Sequence, residues 1–209
     1  MTLMHDEVFR LALAIGFVVT LPVGLYYRVQ SQRTREQLDR RQEGLFVLFT
    51  LRPIGLTAIL GVLTFIANPR WMAWSSMSLP ASARWAGIVF GVLAVTLFIW
   101  TFRKLGSNIT DTVVTRRQHT LIRTGPYHFI RHPFYLGTGL AVFASSLTTA
   151  NWFIGSAGVL AVALLVIRTA TEEAHLARRF ENSYREYCEQ TGQFVPRIKS
   201  LHHLWSKRS

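Results

Sequence analysis

Polar and rigid residues crowd the stretch TGPYHFIRHPFYLG, residues 124–137, directly before a long apolar segment. Pro133 keeps His132 out of helical geometry, so we predict that a helix begins there. The first turn of a helix leaves backbone N–H groups free and favours a carboxylate or phosphate nearby. The stretch therefore predicts a site for a polar ligand at a helix start or, equally well, an anchor at a membrane surface.

A second polar group, Arg168, Glu172 and Glu173, follows another apolar segment. Arg168 and Glu172 are four residues apart, so on a helix they share a face and can pair. Adjacent carboxylates beside lipid are costly unless they meet a cation. The pattern is typical of an arginine–glutamate pair at a helix end, and the alternative is a site for an ammonium or hydroxyl group of a ligand.

Several well-known motifs are missing from the sequence. There is no GxGxxG, P-loop, HExxH or GxSxG pattern, so neither a Rossmann-type cofactor site nor a common hydrolase site is indicated. The single cysteine, Cys188, excludes an internal disulfide and a cysteine-based zinc cluster. We predict no metal site.

The elements that would position these groups are apolar and long. Half of the 209 residues are hydrophobic and only 16% are charged, whereas a soluble domain usually has about 25% charged residues. We predict an all-α, polytopic integral membrane protein with a single domain over residues 1–209. Its five transmembrane helices are residues 8–27, 45–67, 85–102, 134–149 and 152–169. The first three lie in residues 1–104, and residues 105–209 hold the polar motifs and a C-terminal helical hairpin, closed by the uncharged turn TTAN.

The basic residues predict an orientation. Most of the 23 lysines and arginines fall in the first loop, the third connection and the C-terminal tail, which share one side in a five-span arrangement. The opposite side holds Arg10, Arg70 and Arg84, and Arg52 lies inside the second span. We therefore expect the N-terminus outside and the C-terminus in the cytoplasm. The net charge of +12 would then face anionic membrane lipids, and no aromatic residues interleave the arginine runs to suggest nucleic-acid binding.

The polar tail contains a further predicted helix. Leu176, Phe180, Tyr184 and Tyr187 recur at spacings of four, four and three, which predicts one face of a cytoplasmic amphipathic helix. This helix either continues from the fifth span or lies along the membrane surface. Gly192 is a typical residue for its end.

Taken together, these pieces resemble the isoprenylcysteine carboxyl methyltransferase family, which is related to the small membrane phospholipid methyltransferases. The resemblance rests on GPYHFIRHPFYLG, then RTATEEAHL after the hairpin, then YREY and VPR. It covers residues 105–196, about half of the chain. It implies a methyl transfer from S-adenosylmethionine to a lipophilic acceptor at the cytoplasmic face of a membrane, here a bacterial inner membrane.

The resemblance also implies roles for individual residues. Arg168 and Glu172 would be catalytic, with Arg168 nearest the acceptor and Glu172 available as a base. The acceptor stays open among an isoprenylcysteine-like carboxylate, a lipid and a small thiol. The residues that would bind the cofactor are His119, Leu121, Gly125, Tyr127, His132, Pro133, Tyr135, Glu172 and Glu173.

Two other readings compete with this one. A membrane reductase of the sterol-reductase type would bind NADPH rather than S-adenosylmethionine. A non-enzymatic membrane adaptor or permease would have the same fold but no catalytic activity. The intact set of His132, Tyr135 and the two glutamates argues against the adaptor and the permease.

Overall fold

The structure is a computed structural model that describes residues 2–32, 47–106 and 120–197. Within these ranges the regular structure is helical, with two isolated β-bridges and no β-strand. This confirms the all-α prediction for the described residues. The five α-helices are α1 (Thr2–Gln32), α2 (Arg52–Ala67), α3 (Ala81–Leu105), α4 (Pro133–Thr149) and α5 (Trp152–Gln190). A π-helical turn, Val47–Leu51, precedes α2, and 3₁₀ segments occupy Pro69–Ser75 and Gly125–His128.

Four of the predicted spans have the length and apolar composition needed to cross a membrane. They are Asp6–Tyr27, Phe49–Ala67, Ala81–Leu105 and the apolar part of α5. The remaining predicted span, residues 134–149, corresponds to α4. This helix has 17 residues, or about 25 Å, whereas the hydrocarbon core of a bilayer is about 30 Å thick. The described chain is therefore a membrane protein by length and composition, and α4 is the predicted span that is too short to cross a membrane by this criterion.

Helix α5 is longer than the predicted span of residues 152–169. It runs to Gln190 and includes the segment predicted as an amphipathic helix. The backbone departs from helical geometry at Glu181, with φ 43° and ψ −118°, which bends the helix there. Beyond this bend Tyr184 and Tyr187 are buried.

Helices α4 and α5 form a hairpin with a two-residue connection. Ala150 adopts the left-handed conformation that ends α4, and the side chain of Asn151 caps α5 by accepting a hydrogen bond from the Ile154 N–H at 3.0 Å. The Asn151 amide also donates to the Met72 carbonyl and to Ser75 Oγ, at 3.1 and 2.8 Å. The predicted hairpin is thus fastened to the 3₁₀ segment Pro69–Ser75.

Glycines at the helix contacts allow α4 to pack closely between α3 and α5. A Cβ atom on Gly87 of α3 would lie 2.5 Å from Thr148 Oγ1, and one on Gly155 of α5 would lie 2.5 Å from Ser146 Oγ. Small residues let helix backbones approach one another, which is a common basis of packing in membranes. This packing places the start of α4 beside the polar part of α5.

Candidate functional site

The loop before α4, residues 124–132, is stiff for identifiable reasons. Gly125 has a φ of 66°, and a Cβ atom there would lie 2.5 Å from Lys104 Cγ, so glycine suits this position on both counts. Pro126 is buried, and its carbonyl accepts hydrogen bonds from Phe129 and Ile130, both at 3.1 Å. We call residues 124–132 the pre-helix loop.

His132 lies at the junction of the pre-helix loop and α4. Its φ of −121° and ψ of 61° are non-helical, and α4 begins at Pro133, as the proline predicted. The buried His132 ring places Nε2 at 3.0 Å from Oε1 of Glu173 on α5. The same oxygen accepts a hydrogen bond from Nε of Arg131 at 2.9 Å. One carboxylate oxygen therefore joins two consecutive residues of the loop.

The charge of Arg131 balances that of Glu173. Burial alone would lower the pKa of the Arg131 guanidinium, but the hydrogen bond and the charge of Glu173 outweigh burial and raise it. Arg131 is consequently charged at any physiological pH. The ion pair is mostly shielded from water, since 11% of the Arg131 side chain and 23% of the Glu173 side chain are exposed.

Tyr135 brings the other glutamate into the same cluster. Its hydroxyl donates to Oε2 of Glu172 at 2.6 Å. Its ring stacks on the His132 ring with centroids 5.3 Å apart and an interplanar angle of 10°. The first turn of α4 and the Glu172–Glu173 pair thus form one continuous polar cluster.

Hydrogen bonds with α5 attach the segment that contains Tyr127 to this cluster. Burial, followed by the nearby charge of Glu172, raises the pKa of Tyr127 well above its usual value, so its hydroxyl is neutral. The Tyr127 carbonyl accepts a hydrogen bond from the Tyr187 hydroxyl at 2.6 Å. Arg123 donates to the Ser183 carbonyl, which adds a second attachment between the segment before α4 and α5.

The remaining predicted site residues are placed as follows. Arg168 is half-buried on α5, one turn before Glu172, and lies within electrostatic range of the Tyr135 hydroxyl. Leu121 is half-buried ahead of the pre-helix loop. Gly125 and Pro133 shape the backbone of the loop and the start of α4. His119 lies outside the described residues.

The sequence reasoning missed residues that follow α5. The Arg131 N–H donates to the Gly192 carbonyl at 2.8 Å, and the His132 N–H donates to the Gln193 carbonyl at 3.1 Å. The Phe194 ring lies 5.7 Å from the His132 ring. Gly192 and Pro196 predict only the end of a helix, and the non-periodic residues between them do not indicate what they contact.

The fold and the cluster define a helical membrane protein with a polar site at one end of its C-terminal hairpin. Residues 87–178 match the model of the Isoprenylcysteine carboxyl methyltransferase (ICMT) family. This confirms the family resemblance over a region that contains α4, the hairpin and the Glu172–Glu173 pair.

Individual relatives match over shorter stretches. The chain is 35% identical over 86 residues to the cobalt-zinc-cadmium resistance protein CzcN of Cupriavidus metallidurans, covering 40% of this chain and 38% of that protein. It is 29% identical over 83 residues to the nickel-cobalt-cadmium resistance protein NccN of Alcaligenes xylosoxydans xylosoxydans, covering 40% and 39%. Methanethiol S-methyltransferase 1 of Bradyrhizobium diazoefficiens is 31% identical over 75 residues, covering 36% and 26%. The chain thus spans less than two fifths of the length of each of these relatives.

Proposed function

We propose that this protein is an integral membrane methyltransferase that takes its methyl group from S-adenosylmethionine. The observation that carries the proposal is the polar cluster of His132, Tyr135, Glu172 and Glu173, formed by residues 37 and 41 positions apart across the hairpin. The cluster lies inside the stretch that matches the methyltransferase family. A relative named as a methanethiol S-methyltransferase supports the same class of reaction.

The chemistry of the cluster suits S-adenosylmethionine, which carries an ammonium, a carboxylate, a ribose diol and a sulfonium. In the proposal Glu172 binds the ammonium or the ribose hydroxyls, because a carboxylate is the natural partner of both. The aromatic faces of Tyr127 and Tyr135 suit a sulfonium cation. His132 and the first turn of α4 suit the carboxylate.

Glu173 receives a different role from its neighbour. Its Oε1 atom is already bonded to the Arg131 guanidinium and to His132. We assign Glu173 to holding the pre-helix loop against α5, and we assign direct ligand contact chiefly to Glu172, His132 and Tyr135. The two adjacent carboxylates would then do separate work, one structural and one in binding.

When bound, S-adenosylmethionine supplies an electrophilic methyl group on a positively charged sulfur, and that sulfur leaves as a neutral thioether. An acceptor that is already a carboxylate or thiolate needs no proton removed, so alignment by the protein would supply most of the rate enhancement. For a neutral thiol or amine, Glu172 would take the proton. Arg168, one turn before Glu172, would orient an anionic acceptor.

The proposed acceptor is lipophilic and reaches the site at the cytoplasmic face of the membrane, with the N-terminus outside. A small thiol is the first acceptor to test because of the name of the Bradyrhizobium diazoefficiens relative; an isoprenylcysteine-like carboxylate and a lipid follow. Among the described residues, no group of three or more His, Cys, Asp or Glu side chains could hold a metal ion. The proposal therefore includes no metal site, although two of the similar proteins are named for metal resistance.

Calorimetric titration of S-adenosylmethionine into the purified protein in lipid nanodiscs tests the proposal. We expect saturable binding, and Glu172→Gln should weaken it at least tenfold, since bonds to charged groups are worth about 1.5–3 kcal/mol. Glu186→Gln is the matched control, because Glu186 lies on the same helix and is exposed. Isotopically labelled S-adenosylmethionine, supplied with methanethiol or with host lipid extract, would then identify the acceptor by mass spectrometry. Binding of NADPH without binding of S-adenosylmethionine would overturn the proposal in favour of a reductase.

A further inference from the structure

The chain after α5 folds back onto the start of α4. Residues 191–194, which we call the return segment, run beside the pre-helix loop as an isolated parallel bridge between Gly192 and Ile130. The return segment accepts hydrogen bonds from two consecutive backbone N–H groups, those of Arg131 and His132. The Arg131 guanidinium adds a bond to the Thr191 carbonyl at 2.6 Å. Arg131 therefore holds both Glu173 and the return segment.

The backbone of His132 needs this support. As the residue before Pro133 it is not helical, so its N–H has no partner in the ladder of α4. The Gln193 carbonyl accepts this N–H at 3.1 Å. The return segment thus satisfies a buried donor at the residue on which the site depends.

The side chains of the return segment contact the site. The His132 ring has two aromatic neighbours, with the Tyr135 centroid at 5.3 Å and the Phe194 centroid at 5.7 Å. The Gln193 amide donates to Oγ1 of the buried Thr169 at 3.3 Å. Thr169 directly follows Arg168 in the chain, so Gln193 links the return segment to the part of α5 where the site begins.

The return segment also follows a fixed course. A Cβ atom at position 192 would fall far inside contact distance of the Val195 carbonyl oxygen, so only glycine permits this turn. Thr191 and Gly192 are buried. The turn is therefore defined by its own backbone as well as by its bonds to the pre-helix loop.

We propose that Gln193 and Phe194 are positioning residues of the site, which hold the His132 ring against Tyr135 so that Nε2 reaches Glu173. The assignment rests on the proposed function for its effect on ligand binding. The Gln193 carbonyl fixes the His132 backbone, the Gln193 amide fixes the return segment to α5, and the Phe194 ring packs against the imidazole.

The test compares Phe194→Leu with Phe194→Tyr, which keeps the ring, and with Val195→Ala as control. Val195 is the adjacent residue and its side chain is 74% exposed. The first measurement is the NMR signal of the His132 ring, identified through His132→Gln, because loss of an aromatic neighbour changes its ring-current shift. The second is the dissociation constant for S-adenosylmethionine, measured by calorimetry.

We expect Phe194→Leu to shift the His132 signal and to weaken binding about fivefold, the size expected for one aromatic contact. Phe194→Tyr and Val195→Ala should leave both readouts close to wild type. An unchanged His132 signal in Phe194→Leu would overturn the contact itself, and a shifted signal with unchanged binding would overturn the positioning role. Failure of the wild-type protein to bind S-adenosylmethionine would instead refute the proposed function, and the NMR signal would still decide the contact.

Discussion

The Nε2 atom of His132 lies 3.0 Å from Oε1 of Glu173, although the two residues are 41 positions apart in the chain. Between them lie the whole of α4, the hairpin turn and about six turns of α5. Their contact turns two separate polar motifs into one cluster at the end of an apolar helical hairpin. The stability of this arrangement and its binding properties are both open to direct measurement.

Glu173→Gln should destabilise the protein. The substitution removes the charge that balances Arg131, whose side chain is only 11% exposed, and leaves a mostly buried cation without its ion pair. We expect a loss of about 2 kcal/mol in the free energy of unfolding, measured by denaturation in detergent. Glu7→Gln is the control, because Glu7 pairs with Arg10 while 70% exposed, and it should cost less than about 0.5 kcal/mol. Equal effects of the two substitutions would contradict a structural role for Glu173.

Tyr135→Phe tests the contribution of the Tyr135 hydroxyl separately from that of its ring. The phenylalanine keeps the stack on His132 but loses the 2.6 Å bond to Glu172. We expect the affinity for S-adenosylmethionine to fall about tenfold, as for a hydrogen bond to a charged group, with little change in stability. Tyr26→Phe, at a residue 63% exposed, should bind like wild type. Wild-type affinity in Tyr135→Phe would remove this hydroxyl from the binding site.

Glu181→Gly should stabilise the protein. At φ 43° and ψ −118°, a side chain is strained by an amount on the order of 1–3 kcal/mol, and glycine relieves that strain. We expect a net gain of about 1 kcal/mol in the free energy of unfolding, after the entropic cost of glycine. Arg178→Gly, an exposed position on the same helix, should instead cost about 1 kcal/mol. A loss of stability in both variants would show that the bend at Glu181 is absent in solution.

Tryptophans at the hairpin end should mark a membrane boundary. Trp71 and Trp74 are 64% and 62% exposed, and Trp74 contacts Trp152 at 5.6 Å between ring centroids. Tryptophan prefers the headgroup level of a bilayer. In bilayers with brominated lipids, we expect bromine near the headgroups to quench their fluorescence more than bromine at the chain ends. If the double variant Trp71→Phe, Trp74→Phe loses the difference between the two bromine positions, the difference comes from these tryptophans. Stronger quenching by bromine at the chain ends in the wild type would contradict the placement of the tryptophans at a membrane boundary.

Local rules predicted the parts of the fold that depend on neighbouring residues. The restriction that Pro133 places on His132 predicted the start of α4, and TTAN predicted the hairpin turn. The change from apolar to polar residues near Arg168 predicts the end of the apolar span, but it does not determine where the helix itself ends. Backbone hydrogen bonding is indifferent to that change, so the helix continues to Gln190.

The partners of the candidate site were less accessible to sequence reasoning. Spacing predicts a local pair between Arg168 and Glu172, and the structure adds to Glu172 a bond from Tyr135, which lies 37 positions earlier. The return segment was missed because four residues without periodicity carry no signal of what they pack against. Such contacts depend on how α4 and α5 lie together, which only the folded chain determines.

Photochemical cross-linking of radiolabelled S-adenosylmethionine to the purified protein, followed by peptide mapping, tests the central claim most directly. The claim is that the pre-helix loop and the Glu172–Glu173 pair form one binding site for this molecule. We expect label in peptides that contain residues 124–135 or 168–176, and unlabelled S-adenosylmethionine should compete for it. Saturable label confined to α1 and α2, or no competable label in a protein that binds NADPH, would contradict the claim.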